Sequence, residues 1–316
     1  MCNYQILKPR LSNRWGFCLK QLFILPSHKK VIMKLKIAVQ KSGRLSEKSL
    51  ELLKECGIKL SNGDRKLLTA AENFPIEVLF LRDDDIPQYV EQGVADIGIL
   101  GENEVWEKNK NVLTVENLGF ASCKLSLAIP KDENYTGPSF FENKKVATSY
   151  PKILQQFFIE NNVTAEIEEI GGSVEIAPGI GLADGIFDIV STGSTLLMNG
   201  LKEVEVVKKS SAVLISNKNL SVEKQLILDK LLFRIKAVKT SSENKYILLN
   251  APNSVIAQIN AILPGMKSPT VLPLAEEGWS SIHSVVKEDE FWEVIDKLKE
   301  LGAQGILVIP IEKMIL

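Results

Sequence analysis

The chain has 316 residues, which is too long for one small core and suits two or three compact domains. Its hydrophobic content of 45% and charged content of 24% match an ordinary globular protein, and no apolar run approaches the roughly 20 residues that span a bilayer. The net charge is −1, but residues 1–32 contribute six Lys and Arg and no acidic residue, so residues 33–316 carry −7. These values argue against a membrane protein and against a nucleic-acid-binding surface, and any phosphate must be bound by local backbone cradles.

The cysteines and histidines are few, and they indicate neither a zinc site nor a disulfide framework. They are Cys2, Cys18, Cys56, Cys123, His28 and His283. A reducing cytoplasm is therefore the predicted compartment. Because His28 lies in the basic N-terminal segment and His283 near the C-terminus, no Ser-His-Asp or Cys-His system can be assembled, and covalent catalysis through one is not expected.

Residues 1–32 are basic, as targeting segments are, but their apolar stretch at 22–25 is far shorter than the core of about 7 to 15 residues in a signal peptide. A strand-like segment begins directly after Met33. We interpret residues 1–32 as a leader that is either disordered or produced by an upstream start codon. A protein that starts at Met33 is expected to keep its folding and its catalytic turnover unchanged.

From Met33 onward, short β-branched runs alternate with segments of helical periodicity, which is typical of an α/β fold with largely parallel strands. The first predicted strands are 35–40, 75–82 and 95–101, and the first predicted helices are 45–56 and 84–92. A second α/β stretch has predicted strands at 124–130, 144–150, 164–170, 187–191, 203–209 and 212–218, a helix from Pro151 and another near Leu182.

An amphipathic helix is predicted from Ser221 to about Thr240. Its expected buried face consists of Leu226, Leu228, Leu231, Leu232 and Ile235. After it, the predicted elements are strand 244–252, helix 254–263, strands 268–276 and 280–287, helix 290–302 and strand 305–313. This order is the ferredoxin-like βαββαβ unit that is common in small regulatory domains.

The richest phosphate-binding signal is the segment DIVSTGST, 188–195, where a buried strand ends and a helix begins. Such a turn points backbone N–H groups at a phosphate, and Gly193 allows close approach. Its hydroxyl donors are Ser191, Thr192, Ser194 and Thr195. Asp188 can accept bonds from ribose hydroxyls or hold hydrated Mg²⁺. The alternative is an ordinary helix-capping turn.

Two further turns carry cations. In QKSGRL, 40–45, Lys41 and Arg44 flank Gly43 and suit a polyphosphate, although an exposed basic turn that binds nothing is the alternative. In LRDDDIP, 81–87, Arg82 lies at the end of a strand, at the sheet edge where ligands bind in open α/β folds. It can form an ion pair either with the aspartates that follow it or with a pyrophosphate. Those aspartates are expected to cap the next helix.

The segment ADIGILGEN, 95–103, places Asp96 before a strand that contains Gly98 and Gly101. Glycine inside a strand often marks close approach by another backbone or by a ligand. Tight packing of the sheet is the alternative.

Together these segments resemble ATP phosphoribosyltransferase, the first enzyme of histidine biosynthesis. The resemblance runs in order from Met33 to Leu316 through QKSGRL, RDDDIP, ADIGILGEN, KLSLAIP, VATSYP, GSVEIAPGIGLAD, DIVSTGSTL, SPTVLPLA and LGAQGILVIPIEKM. It is close to the long form, which carries its regulatory domain in the same chain and needs no separate regulatory subunit. The resemblance implies a two-lobed catalytic part, similar to type II periplasmic binding proteins, and a ferredoxin-like regulatory domain. The implied units are a first lobe of 33–122 plus 208–238, a second lobe of 123–207 and a regulatory domain of 241–316.

The resemblance also implies the substrates and the residues that hold them. The 5-phosphate and ribose of phosphoribosyl pyrophosphate (PRPP) would lie against Asp188, Ser191, Thr192, Gly193, Ser194 and Thr195. The pyrophosphate or ATP phosphates would face Lys41, Arg44 and Arg82, and the purine nucleotide would lie near Asp96 and Tyr150. Mg²⁺ is the implied cofactor, with Asp188 holding it through water.

In the implied reaction, the lone pair of adenine N1 attacks the anomeric carbon of ribose, inverting it as pyrophosphate leaves. The protein must then position two charged substrates and stabilise the leaving charge, and no general base is assigned. Histidine is the implied feedback inhibitor, bound between C-terminal domains of a homo-oligomer, a dimer in equilibrium with a hexamer. Its implied contacts are Asn250, Thr270 and backbone groups near Leu272.

Two alternatives stay open. A solute-binding or effector-binding module can have the same two-lobed fold without catalysis, although no helix-turn-helix segment precedes Met33. A different phosphoribosyltransferase is the second alternative, but DIVSTGST lacks the paired acids that begin the common PRPP loop.

Overall fold

The computed structural model describes residues 33–61, 67–191, 193–263 and 265–316. The predicted leader at 1–32 and Thr192 of the DIVSTGST segment lie outside the described residues. Within them, the strands form three sheets of six, five and four strands. No helix of this described part combines the length and the apolar character that crossing a membrane requires.

The strands are β1 Leu35–Gln40, β2 Leu68–Ala70, β3 Ile76–Leu81, β4 Ile97–Gly101, β5 Val112–Asn117, β6 Cys123–Pro130, β7 Lys145–Thr148, β8 Glu166–Glu169, β9 Gly185–Val190, β10 Leu201–Ser210, β11 Ala212–Asn217, β12 Asn244–Pro252, β13 Thr270–Pro273, β14 Trp279–Lys287 and β15 Gln304–Pro310. The helices are α1 Arg44–Glu55, α2 Ile86–Glu91, α3 Glu102–Lys108, α4 Pro151–Glu160, α5 Ser194–Met198, α6 Val222–Glu243, α7 Ile256–Ile262 and α8 Glu288–Glu300. All the predicted strands are confirmed, with ends shifted by a few residues.

The first sheet has the order β2-β3-β1-β4-β11-β5. β1 runs parallel to both of its neighbours, β3 and β4. Alternate residues of the strands bury against opposite layers: Ile37 and Val39 join the core under α1 and α6, whereas Ala38 joins the core under α2. Because parallel strands end at one edge of a sheet, the turns after β1, β3 and β4 lie together.

The second sheet has the order β10-β6-β9-β7-β8, with a core that includes Phe141, Phe158 and Phe187. β7 is parallel to β8 and β9, so the carboxyl ends of β7 and β9 meet at one edge. β10 and β6 are antiparallel, with Ser210 opposite Cys123, which brings the end of β10 to the same edge.

The chain passes between these two sheets twice. It leaves the first sheet after β5 and enters the second at β6, and it returns where β10 ends at Ser210 and β11 begins at Ala212. Ala212 pairs with Gly101 at the end of β4. Two sheets joined by a paired crossing form the two-lobed, type II periplasmic-binding-protein-like arrangement, which confirms the predicted catalytic fold.

The third sheet has the order β13-β14-β12-β15, and every pair of neighbours in it is antiparallel. The helices α7 and α8 cover one face, where Ile259 and Leu298 pack with Ile247, Leu249 and Ile282. The order of elements is strand, helix, strand, strand, helix, strand. This arrangement confirms the predicted ferredoxin-like domain.

Some sequence predictions are wrong. No helix forms near Leu182: the segment has two single turns of 3-10 helix, Val174–Ile176 and Pro178–Ile180, and Gly181 leaves the second one with φ +74°. On α6, Leu228 and Ile235 are buried, but Leu226 is 56% exposed. Two residues along a helix correspond to about 200° of rotation, so Leu226 points away from the core that Leu228 enters.

Candidate functional site

The turn after β1 presents two cations at the carboxyl edge of the first sheet. The Lys41 N–H donates to the carbonyl oxygen of Leu81 over 2.8 Å, which joins this turn to the end of β3. Gly43 precedes α1 with φ +92°, a conformation that favours glycine. The side chains of Lys41 and Arg44 are exposed, and among the described residues neither has a hydrogen bond or ion pair. Both cations are therefore available to an anionic ligand.

The turn after β3 lies beside the turn after β1. Arg82 is 79% exposed, and its Nε lies 3.5 Å from Oδ1 of Asp84, so the internal ion pair expected for it is present. The two atoms do not form a hydrogen bond, since Asp84 Oδ1 has no hydrogen-bond partner. The expectation that the aspartates cap the next helix is wrong: Asp83–Asp85 form a turn of 3-10 helix, and neither that turn nor α2 has a side-chain cap.

The DIVSTGST segment occupies the carboxyl edge of the second sheet. β9 ends at Val190, and Gly193, with φ +77°, precedes α5 without a side-chain cap. Behind this turn lies a small cavity of about 160 Å³. Its lining includes Glu175, Asp188, Ser191, Gly193 and Thr195. The structure thus brings Asp188, Ser191, Gly193 and Thr195 together around one cavity, whereas Ser194 is not among its lining residues.

Asp188 is a partly buried carboxylate at the entrance of this turn. Its Oδ1 accepts a hydrogen bond from the N–H of Ile189 over 2.8 Å. Burial and, to a smaller extent, the nearby charge of Glu175 raise the pKa of Asp188 to about 6, although the hydrogen bond from Ile189 acts in the opposite direction. No cation is paired with Asp188 among the described residues, so its second oxygen can accept ribose hydroxyls or metal-bound water.

A buried cluster on α3 joins the two sheet edges. The Asn103 side-chain amide donates to Glu104 Oε1 over 3.1 Å and to the hydroxyl of Tyr150 over 3.2 Å. Burial and, to a smaller extent, the charge of Asp83 together raise the pKa of Glu104 to about 7. The pKa of Tyr150 is also raised, first by burial and then by the charges of Glu104 and Asp188. Tyr150 therefore lies between the two edges.

Two glycines of ADIGILGEN have different explanations. A Cβ on Gly98 would lie 2.5 Å from Cγ2 of Ile86, so Gly98 allows α2 to pack on the sheet. A Cβ on Gly101 would lie 2.3 Å from Oδ1 of Asn103. Gly101 therefore leaves room for the side chain that contacts Tyr150. Sequence analysis had singled out Gly101, but it identified neither Asn103 nor Glu104.

Asp96 is not brought to this site. It precedes β4, and it therefore lies at the opposite end of that strand from Gly101. Its Oδ2 accepts from the N–H of Lys36 over 2.8 Å, and its Oδ1 forms an ion pair with Lys224 of α6 over 2.7 Å. With only 4% of Asp96 exposed, these contacts indicate that it fastens β1 and α6 to β4.

The predicted histidine contacts share one face of the third sheet. Leu272 lies opposite Ser281, which lies opposite Asn250. Thr270 lies two residues from Leu272, opposite His283. Because side chains two residues apart point to the same face, these residues form one surface, on the side of the sheet away from α7 and α8.

His283 lies in the middle of this open face and was not among the predicted contacts. Its Nδ1 lies 2.6 Å from the hydroxyl of Tyr246, and its Nε2 lies 3.2 Å from Oγ of Ser281. Both ring nitrogens are thus occupied, which fixes the orientation of the imidazole. The sequence signal that could have identified it is the alternation of polar residues along β14.

The described residues contain no group of three or more His, Cys, Asp or Glu side chains placed to ligate a metal. A protein cage for a metal ion is therefore absent from that part of the chain. Mg²⁺ does not require such a cage, since it commonly keeps several waters and uses one or two carboxylates with substrate phosphates. Asp188, a single carboxylate that lines the small cavity beside this turn, suits this mode of binding.

Known proteins match the chain over most of its length. A family model described as ATP phosphoribosyltransferase (HisG) matches residues 82–237, and a model of the HisG C-terminal domain matches residues 241–313. Curated proteins named ATP phosphoribosyltransferase from Cytophaga hutchinsonii and Bacteroides thetaiotaomicron are 60% and 62% identical over 281 residues, which is 89% of this chain and 98% and 99% of theirs. A solved ATP phosphoribosyl transferase (HisG:HisZ) complex from Thermotoga maritima has a similar chain, with 29% identity and a TM-score of 0.56, covering 64% of this chain and 96% of that one.

Proposed function

The chain belongs to the ATP phosphoribosyltransferase family, and we propose that it divides the reaction between its two lobes. It transfers the 5-phosphoribosyl group of PRPP to N1 of ATP and releases pyrophosphate, the first step of histidine biosynthesis. In our proposal the second lobe binds PRPP, and the first lobe binds the ATP phosphates and the leaving pyrophosphate. The observation that carries this division is the contact of Asn103 with Tyr150, which joins a cationic sheet edge to a hydroxyl-rich one.

In the second lobe, the 5-phosphate lies against the turn that contains Ser191, Thr192, Gly193, Ser194 and Thr195. Gly193 lines the cavity, its φ is positive, and it carries no side chain that would keep a phosphate from the backbone, which supports this placement. Asp188 accepts hydrogen bonds from the ribose hydroxyls. These contacts hold the anomeric carbon still while its bond to pyrophosphate breaks.

In the first lobe, Lys41, Arg44 and Arg82 stabilise the charge that develops on the leaving pyrophosphate. These three side chains are exposed, and the one internal ion pair that they form among the described residues, that of Arg82 with Asp84, is exposed and therefore weak. Binding of a phosphate thus breaks no strong internal interaction, which supports this role. Tyr150 contacts the purine. Adenine N1 already carries a lone pair, so the protein has to place it in line with the bond that breaks, and to exclude water from the cleft.

We assign Mg²⁺ as the cofactor, held by the substrate phosphates and, through water, by Asp188. When bound, the metal would neutralise phosphate charge and so favour the departure of pyrophosphate. Support for this assignment comes from the free carboxylate oxygen of Asp188 at the entrance of the cavity.

The C-terminal domain, residues 241–316, gives feedback inhibition by histidine. Asn250, Thr270 and the backbone near Leu272 contact the inhibitor on the open face of the third sheet. The edge strands β13 and β15 expose apolar residues such as Leu272 and Leu307, which suits contact with a second subunit. The chain would assemble as a homo-oligomer, a dimer or hexamer, without a separate regulatory subunit, and would work in the cytoplasm.

The test is to mix the purified chain with ATP, PRPP and Mg²⁺ and to measure phosphoribosyl-ATP and pyrophosphate, with and without histidine. We expect both products in equal amounts, dependence on Mg²⁺, and inhibition by histidine that disappears when residues 241–316 are deleted. Calorimetry that detects no histidine binding to the intact chain would remove the regulatory assignment. Binding without turnover would favour the solute-binding alternative, which the transferase names of the relatives do not support.

A further inference from the structure

Glu107 is a buried carboxylate whose partners lie on the other lobe. It is 4% exposed, and among the described residues no cation is paired with it. Its Oε1 and Oε2 lie 3.1 and 3.2 Å from the N–H nitrogen of Lys152, and Oε2 lies 3.1 Å from that of Ile153. A buried charge is costly without compensating hydrogen bonds, so these contacts with α4 explain how Glu107 is tolerated.

The contacts of Glu107 complete the N-terminus of α4. The first N–H groups of a helix have no partner inside it, and the N-cap of α4, Tyr150, offers no side-chain cap. Pro151 has no N–H group, and the Tyr150 N–H donates to Thr148 Oγ1 over 2.8 Å. The remaining orphan donors are those of Lys152 and Ile153. Glu107 accepts from both, so the first lobe supplies the cap for a helix of the second lobe.

A second contact starts from the same face of α3. Asn103 precedes Glu107 by four residues, a spacing that places both side chains on one side of the helix. Besides donating to Tyr150, Asn103 forms two hydrogen bonds with Ser210. Its Oδ1 accepts from the Ser210 hydroxyl over 2.8 Å, and its backbone N–H donates to the same hydroxyl oxygen over 3.0 Å. Helix α3 therefore holds the second lobe both at Tyr150 with α4 and at the end of β10.

We propose that Glu107 is a positioning residue that holds Tyr150 in the cleft by capping α4, and thereby sets the use of ATP. Tyr150 directly precedes Pro151, whose ring fixes φ, so a shift of the first turn of α4 is passed to Tyr150. Glu107 itself need not touch a substrate. The inference rests on the proposed role of Tyr150 at the purine.

The test compares Glu107→Ala with a matched control. Glu142→Ala also removes a carboxylate that accepts a backbone N–H, that of Thr164 over 2.8 Å, but Glu142 lies before β7, at the opposite edge of the second sheet. We expect Glu107→Ala to raise the KM for ATP about tenfold and the KM for PRPP less than about twofold. Glu107→Gln keeps one acceptor and should give an intermediate KM. Glu142→Ala should leave both KM values unchanged.

The double variant Glu107→Ala with Tyr150→Ala tests the route of the effect. If Glu107 acts through Tyr150, its substitution adds little to the KM for ATP once Tyr150 is absent. An additive effect would overturn the inference, as would a lower melting temperature with an unchanged KM for ATP. In both cases the proposed function stands as long as Tyr150→Ala alone changes the KM for ATP. If Tyr150→Ala alone leaves the KM for ATP unchanged, the role of Tyr150 fails and the inference fails with it. Should Glu107→Ala not fold, Glu107→Gln carries the same comparison.

Discussion

The two sheet edges of the catalytic part are built differently. The edge of the first lobe carries exposed cationic side chains, such as Arg44 and Arg82, on turns that hold their shape through backbone hydrogen bonds. The edge of the second lobe has a short turn shaped by Gly193, with hydroxyls and the partly buried Asp188 around a small cavity. If the proposed division holds, affinity on the first side depends on removable side chains, whereas on the second side it depends mainly on the backbone. The two sides should respond differently to substitution.

The largest effect is expected from Gly193→Val. A branched side chain disfavours φ +77° by about 1–3 kcal/mol, and its volume would occupy the space next to the cavity. We expect kcat/KM for PRPP to fall at least about a hundredfold, since several contacts to phosphate of roughly 1.5–3 kcal/mol each are lost. Steady-state kinetics in both substrates measure this.

Gly200→Val is the matched control, because Gly200 also has positive φ, +71°, in the same lobe, and a Cβ there would meet no atom within 4 Å, whereas a Cβ on Gly193 would meet only Cγ1 of Val190 at 4.0 Å. Both variants should lower the melting temperature, but only Gly193→Val should selectively impair PRPP use. Equal kinetic losses in the two variants would mean that strain, and not obstruction of a phosphate site, explains the result.

A smaller effect is expected on the first side from Arg44→Ala. Loss of a hydrogen bond to a charged phosphate, worth about 1.5–3 kcal/mol, should lower kcat/KM about ten- to a hundredfold. The melting temperature should stay the same, because Arg44 has no contact to lose among the described residues. Lys48→Ala, one turn further along α1, removes an exposed ion pair with Glu51 and should change neither quantity measurably. An unchanged kcat/KM in Arg44→Ala would mean that this basic turn binds nothing.

The smallest effect concerns pH and the carboxylate of Asp188. Because its pKa is about 6, kcat/KM for PRPP should fall below pH 6, by at most about tenfold per pH unit. Asp188→Asn should remove this part of the pH profile while leaving any contribution of Glu104, whose pKa is about 7. If the pH profile of Asp188→Asn is the same as that of the parent, Asp188 does not take part in PRPP binding.

Stability should respond to Asp188 in the opposite sense. The folded pKa of about 6 lies above 3.8, the ordinary pKa of an aspartate, so the folded chain binds this proton more tightly than the unfolded chain. The contribution of Asp188 to stability is therefore present at low pH and declines as pH rises from about 4 to about 6. Activity and this part of stability thus change in opposite directions over the same window.

The sequence was informative where chemistry and local structure coincide. Strand ends followed by turns of glycine, hydroxyl and cationic residues predicted the segments of Lys41, Arg82 and Asp188, because the carboxyl ends of parallel strands meet. The same rule would have argued against Asp96, which precedes its strand and lies at the other edge. Asp96 lies at the amino end of β4, and the prediction that it binds the nucleotide neglects this position.

The cluster on α3 could not be predicted in this way. Asn103, Glu104 and Glu107 gain their importance from Tyr150 and α4, more than 40 residues later in the chain. A short helix rich in acidic residues gives no periodic signal for such a contact. The sequence marks Gly101 as unusual within a strand, but the reason for it, space for the side chain of Asn103, arises only in the folded chain.

The most direct test of the division between the lobes is the dissociation constant of each substrate for Thr195→Ala, measured by calorimetry beside the melting temperature. The side chain of Thr195 is exposed and α5 has no side-chain cap, so the fold should be nearly unaffected. Loss of one hydrogen bond to phosphate should raise the Kd for PRPP about ten- to a hundredfold and leave that for ATP within about twofold. A lower melting temperature with an unchanged Kd for PRPP would contradict the assignment of this turn to PRPP.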